Sequence, residues 1–114
     1  MKLSYEGIGQ WAATFACANV AEGDVVKISG NGTVAACGDG DAFAGVVISV
    51  GHGGDACSAA LGGMATAVYS GTVPAVGWAG LCADGTGGVK AASDGHSYLV
   101  TDVNTSTKTV TFAL

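Results

Sequence analysis

Glycine-centred turn signals recur along the entire chain and constrain its fold more than any other feature. Of the 114 residues, 20 are glycine and one is proline. Between the glycine clusters, apolar and polar residues alternate with the period of two that is typical of short β-strands, and glycine supplies the positive φ that tight hairpins require. Turns roughly 8 to 12 residues apart are typical of a sandwich or barrel. The pattern predicts strands over 24–29, 33–37, 42–50, 55–61, 64–70, 76–82, 88–92, 97–103 and 108–114.

The length fits a single domain, which we place at residues 21–114. Residues 1–20 are interpreted as an N-terminal arm or strand. Alanine is frequent there and would favour a helix, but Trp11, Phe15 and Cys17 follow a period of two and no clear cap ends the segment. The expected fold class is therefore all-β, a compact single-domain β-barrel or sandwich.

An internal repeat becomes visible when the chain is shifted by 55 positions. Six identities fall within the fourteen positions 30–43, where chance would give roughly one or two even in a chain so rich in glycine and alanine. We infer two related strand-turn-strand halves, approximately 21–61 and 76–114, that together close one barrel. The identical pairs are Gly30/Gly85, Gly32/Gly87, Val34/Val89, Ala36/Ala91, Asp39/Asp94 and Gly40/Gly95.

A shared core is predicted from the same repeat and from the period-two placement of its apolar residues. Its expected members are Val34, Val46, Ile48, Val89, Tyr98 and Val103.

The charge balance excludes several partners. Asp and Glu number nine against four basic residues, all of them lysine, so the net charge is −5 and no guanidinium is available to grip phosphate. Nucleic acid and anionic membrane surfaces are therefore not expected partners. No apolar run approaches the 18 or so residues of a membrane span, and Glu6 and Gln10 interrupt any signal-peptide core, so synthesis in the cytoplasm is expected.

The four cysteines match no zinc-binding or redox motif. Cys17, Cys37, Cys57 and Cys82 stand 20, 20 and 25 positions apart. Free thiols packed as small apolar side chains are the favoured interpretation, and a disulfide pair is the alternative.

No residue constellation typical of catalysis is found. His52 and His96 lie beside aspartates in glycine-rich turns, but each has too few ligand-type neighbours for a metal. Nucleophile elbows, phosphate loops and calcium loops are also missing, and the spaced acids are interpreted as a solvated rim. We expect no enzyme activity, cofactor or bound metal.

Three aromatic residues are candidates for an interface: Trp11, Phe15 and Trp78. Tryptophan is enriched in protein interfaces, although core packing is an equally good interpretation. Association is expected on general grounds, because Ala and Gly fill 40 of the 114 positions and such a core buries little apolar area per residue. A homo-oligomer would supply the missing burial.

The order of the motifs from about residue 21 to the end resembles that of the small decoration, or cement, proteins of tailed-phage and prophage capsids. The matching motifs are Glu22-Gly23-Asp24-Val25-Val26, Gly32-Thr33-Val34, Phe43-Ala44-Gly45-Val46-Val47, Gly54-Asp55-Ala56, Leu61-Gly62-Gly63-Met64, Val76-Gly77, Asp84-Gly85-Thr86-Gly87-Gly88-Val89 and Thr109-Val110-Thr111-Phe112-Ala113-Leu114.

The resemblance implies a compact β-barrel, commonly a trimer, on the outside of an assembled head. It implies that the partner is the major capsid protein and that the protein, made in the bacterial host cytoplasm, resides on the capsid surface of the virion. The four cysteines and the alanine-rich start depart from the family pattern. The alternative is a bacterial β-rich binding or surface-assembly module of the carbohydrate-binding type, in which exposed aromatic rings would stack on sugars.

Overall fold

The structure is a computed structural model that describes residues 11–114, and these residues form strands and turns with no helix. The all-β prediction is confirmed, and each of the nine predicted segments overlaps one strand. The first ten residues of the predicted arm lie outside the described residues. The ten strands are β1 (Trp11–Ala16), β2 (Val25–Gly30), β3 (Thr33–Ala36), β4 (Gly45–Val50), β5 (Ala56–Gly62), β6 (Met64–Ser70), β7 (Gly77–Ala83), β8 (Val89–Ala91), β9 (His96–Asn104) and β10 (Thr109–Ala113).

Two closed five-stranded barrels make up the molecule. The first has the strand order β1-β3-β2-β4-β5, and the second has the order β10-β6-β8-β7-β9. In each barrel one pair is parallel, β1 with β3 and β6 with β8, and the other pairs are antiparallel. The expectation that the two halves share one barrel is wrong, because each half closes on itself. Closure gives every strand two hydrogen-bonded neighbours, so the outer faces rather than the strand edges are open to a partner.

The residue register repeats from one barrel to the other. Val46 pairs with Ala60 in the first barrel, and Leu99 pairs with Ala113 in the second, each 53 positions later. Val25 pairs with Val46, and Trp78 pairs with Leu99, again 53 positions later. The duplicated unit is thus a whole barrel that begins at β1 or at β6, whereas the halves inferred from the sequence begin at residues 21 and 76.

A β-bulge is part of the duplication and explains one wrong prediction. The β4–β5 register shifts between Val47 and Ser49, and the β9–β10 register shifts at the equivalent place, opposite Thr111 and Phe112. The extra residue of a bulge leaves the regular inward and outward alternation. Ile48 is that residue in β4 and is 41% exposed, so its predicted place in the core is wrong.

The core is divided into two clusters rather than being common to all six predicted residues. Val34 lies in the cluster of the first barrel, with Val26, Val47 and Cys57, and Phe15 packs against this cluster. The larger cluster fills the second barrel and continues into the contact between the barrels. It contains Val46, Val89 and Tyr98, with Val103 packed against it.

Phe43 is the main apolar link between the barrels. It comes from the segment before β4, yet its ring stacks on Tyr98 at 5.1 Å and meets Phe112 edge-on at 5.8 Å, both in the second barrel. Polar contacts run beside it: the Gly40 N–H donates to the Ala83 carbonyl at 2.9 Å, and the Lys90 ammonium lies 2.6 Å from the Asp39 carboxylate. These contacts hold the two barrels as one body with a radius of gyration of 13.3 Å.

Candidate interaction surface

An apolar row crosses the outer face of the second barrel. Trp78 on β7 pairs with Leu99 on β9, which in turn pairs with Ala113 on β10. The residues flanking Leu99, Tyr98 and Val100, are buried in the core, so alternation turns Leu99 outward. Trp78 is 74% exposed and Leu99 is 37% exposed. We call these three paired residues, Trp78, Leu99 and Ala113, the Trp78 face.

Two exposed valines precede the strand that carries Trp78. Val73 and Val76 lie in the segment between β6 and β7 and are 52% and 69% exposed. An exposed indole paired across strands with an exposed leucine is typical of an interface centre, where tryptophan is enriched. The surface therefore has the character of a binding site for a macromolecule.

The other two predicted interface residues lie on the first barrel and differ from each other. Trp11 is 59% exposed at the start of β1, and its indole covers the backbone of Gly62 on the neighbouring strand. Phe15 faces inward and packs on the core of the first barrel. The structure therefore leaves Trp11 and Trp78 available at the surface, on different barrels. Leu99 and Val76 were missed, although alternation around Tyr98 and Val100 could have indicated Leu99.

Hydroxyl side chains rather than charges cover the outer faces beside these tryptophans. In the second barrel, the hydroxyls of Thr66 and Thr111 are 2.9 Å apart, and the Thr101 hydroxyl donates to the Thr111 carbonyl at 3.3 Å. The equivalent pair in the first barrel is Thr14 with Ser58. Partners would meet these faces without having to desolvate ionised groups.

Two lysine–aspartate pairs are structural in character. Lys27 lies 2.7 Å from Asp41, and this hydrogen-bonded pair raises the pKa of the lysine and lowers the pKa of the aspartate. Lys90 is held in the same way by Asp39, which raises its pKa. These contacts stabilise the charged forms of Lys27, Asp41 and Lys90 near neutral pH, which is the opposite of what a general acid or base requires.

Asp84 organises the loop between β7 and β8. One carboxylate oxygen accepts hydrogen bonds from the Thr86 N–H and hydroxyl, both at 2.8 Å, and from the Gly88 N–H at 3.1 Å. The other accepts the Ser70 hydroxyl at 2.8 Å. Partial burial alone would raise the pKa of Asp84, but these hydrogen bonds together outweigh it and the pKa lies below its usual value.

All four cysteines are free and buried. Burial raises the pKa of Cys57 to about 11, with a further contribution from the neighbouring Cys17 thiol. Burial also raises the pKa of Cys37. The thiolate is the reactive form of cysteine, so these environments suppress nucleophilic chemistry.

The histidines do not meet a set of ligands. His52 is exposed in a turn, whereas His96 begins β9 and contacts the Tyr98 ring edge-on at 4.8 Å rather than lying in a turn as expected. Across residues 11–114, no group of three or more His, Cys, Asp and Glu side chains is placed to hold a metal ion. The same part of the chain has no helix that is long and apolar enough to cross a membrane.

Comparison with known proteins gives no family for this chain. No protein-family model matches it, and no curated protein matches it significantly.

Proposed function

We propose that the protein is a non-enzymatic structural component of a phage or prophage virion that decorates and stabilises the capsid head as a homotrimer. The observation that carries the proposal is the Trp78 face, an exposed, uncharged row on a rigid closed barrel with Trp78 74% exposed. The order of motifs that resembles the decoration proteins supports the same proposal.

The architecture suits a clamp on a shell. A capsid is held by many symmetric contacts, and a rigid protein that engages several subunits at once gains avidity from effective concentration rather than from one tight interface. Twin closed barrels offer broad outer faces and little conformational freedom to lose on binding. The net charge of −5 without arginine also keeps the protein from capturing DNA during head assembly.

Heads of the phage or prophage that encodes the chain provide the test. They would be prepared from a strain lacking the gene, mixed with the purified protein and sedimented. We expect saturable co-sedimentation and release of packaged DNA at a higher temperature than from untreated heads. Absence of binding at concentrations at which the protein is folded and trimeric would contradict the proposal.

A second candidate function is carbohydrate binding, which the exposure of Trp78 also favours, since flat indole rings stack on sugars. The two functions are separated by titrating the protein with soluble oligosaccharides while following tryptophan fluorescence. Quenching that is lost in Trp78→Ala and kept in Trp11→Ala would favour the sugar-binding module. Capsid decoration predicts no change in fluorescence with sugars.

A further inference from the structure

The contact between the two barrels of one chain indicates how two copies of the chain fit together. The duplication allows each surface of the second barrel to be compared with its counterpart on the first. In the first barrel, Val46 and Ala60 are the counterparts of Leu99 and Ala113, 53 positions earlier. Val25 pairs with Val46 as Trp78 pairs with Leu99, so Val25 holds the equivalent place, although the hairpin register of the same strands has an offset of 55.

These counterparts are covered. Val25, Val46 and Ala60 are 0%, 5% and 1% exposed, and both valines belong to the core cluster that continues into the second barrel. The Trp78 face is the same position on the second barrel, yet none of residues 11–114 covers it. A surface that the fold buries once is thus presented a second time, open to solvent.

The covering surface of the second barrel has an open counterpart as well. Strand β6 lies against β4, and the Gly87 carbonyl accepts the Val25 N–H at 2.9 Å. Gly87 corresponds to Gly32, 55 positions earlier, in the β2–β3 hairpin, and Met64 and Thr66 correspond to Ala12 and Thr14 on β1. We call this the Thr14 face. Its exposed residues are Ala12, Thr14, Asn31 and Gly32.

We propose that copies of this chain associate head to tail, with the Trp78 face of one copy against the Thr14 face of the next. The contact repeats between chains the part of the barrel packing that covers Val25, Val46 and Ala60 within a chain. It rests on the homo-oligomer of the proposed function and specifies its interface.

The composition of the two faces is consistent with this pairing. Neither face contains a charged residue, so bringing them together desolvates no ion. Each copy carries one face of each kind, so the interface is heterologous and a closed ring uses every face. A ring of three chains contains six barrels in sequence around its axis.

A complementation experiment tests the head-to-tail contact without any capsid. Trp78→Glu disables one face and Thr14→Arg disables the other, while Thr105→Arg adds the same charge in the exposed β9–β10 turn as a control. Circular dichroism and thermal melting establish that each variant is folded. Light scattering then gives the mass of each variant alone and of equimolar mixtures.

We expect each single-face variant to be a monomer, with association weakened at least tenfold, and Thr105→Arg to match the wild type. A mixture of Trp78→Glu with Thr14→Arg should form a dimer, because one intact pair of faces remains between the two chains. If Thr14→Arg keeps the wild-type mass, or if the mixture stays monomeric, the inference is overturned. Failure of the trimer to bind heads would contradict the capsid proposal and leave this contact standing.

Discussion

At the scale of single residues, side chains that resemble catalytic groups are used to hold the backbone. Both carboxylate oxygens of Asp84 accept hydrogen bonds that hold the loop leading to β8, and the cysteines fill buried positions of the barrels. The sequence correctly indicates the free thiols, because isolated cysteines without motif spacing favour packing. It does not reveal the role of Asp84, because its four hydrogen-bond donors come from the chain's turn geometry and from Ser70 on a different strand.

Low pH should lower the stability of the folded protein, partly through protonation of Asp84. Its pKa in the folded protein lies below the ordinary value of 3.8, so its stabilising contribution is complete above that pH and is lost as the pH falls through the folded value. For a mostly solvated carboxylate we expect on the order of 1 kcal/mol. In thermal melts, the stability difference between wild type and Asp84→Asn should therefore shrink below about pH 3.8. A difference that stays constant with pH would contradict this role.

The thiols should be unreactive while the protein is folded. Burial and the raised pKa of Cys57 keep the thiolate fraction low at neutral pH. We expect a thiol reagent such as an aromatic disulfide to modify the native protein at least roughly tenfold more slowly than the protein in denaturant, where all four cysteines react. Rapid native reaction of any thiol would show an access route that the packing does not provide.

At the scale of strands, alternation and turns predict most of the elements, but they do not determine how the strands close. Nine strands could be predicted because the inward apolar residues repeat every second position and the glycine turns mark where each strand begins and ends. The barrels were not, because the offset between halves is 55 at β3 and β8 but 53 at β4 and β9. When the sequence is compared with itself at the single offset of 55, only the β3/β8 repeat is detected and the β4/β9 repeat is missed. The bulge at Ile48 left no signal in the residue pattern.

Phe43 offers a test of how the elements are joined. Its ring is 6% exposed and contacts two aromatic rings of the other barrel. Phe43→Ala should lower the free energy of unfolding by about 3 to 5 kcal/mol. Phe15→Ala is the matched control, because that half-buried ring packs within one barrel only. Urea denaturation should show a smaller loss for Phe15→Ala, and equal losses would contradict a special role for Phe43 at the barrel contact.

At the scale of the whole molecule, duplication explains both the internal packing and the surface left open. The second barrel covers Val25 and Val46 of the first, while its own Trp78 and Leu99 stay exposed in the part of the chain that the structure describes. An acidic protein with a net charge of −5 repels its own copies, so the contact should use uncharged faces and strengthen when salt screens the repulsion. The acidic charge and the tryptophans can be read from the sequence. Where these residues lie on the two barrels depends on the strand register, which the sequence does not show.

The solution mass of the wild-type protein tests this account most directly. Light scattering at micromolar concentration should give three chains of 11.0 kDa each, about 33 kDa in total, with a melting temperature that rises with protein concentration because association stabilises the folded state. A single 11.0 kDa chain whose cooperative melting temperature does not depend on concentration would contradict it.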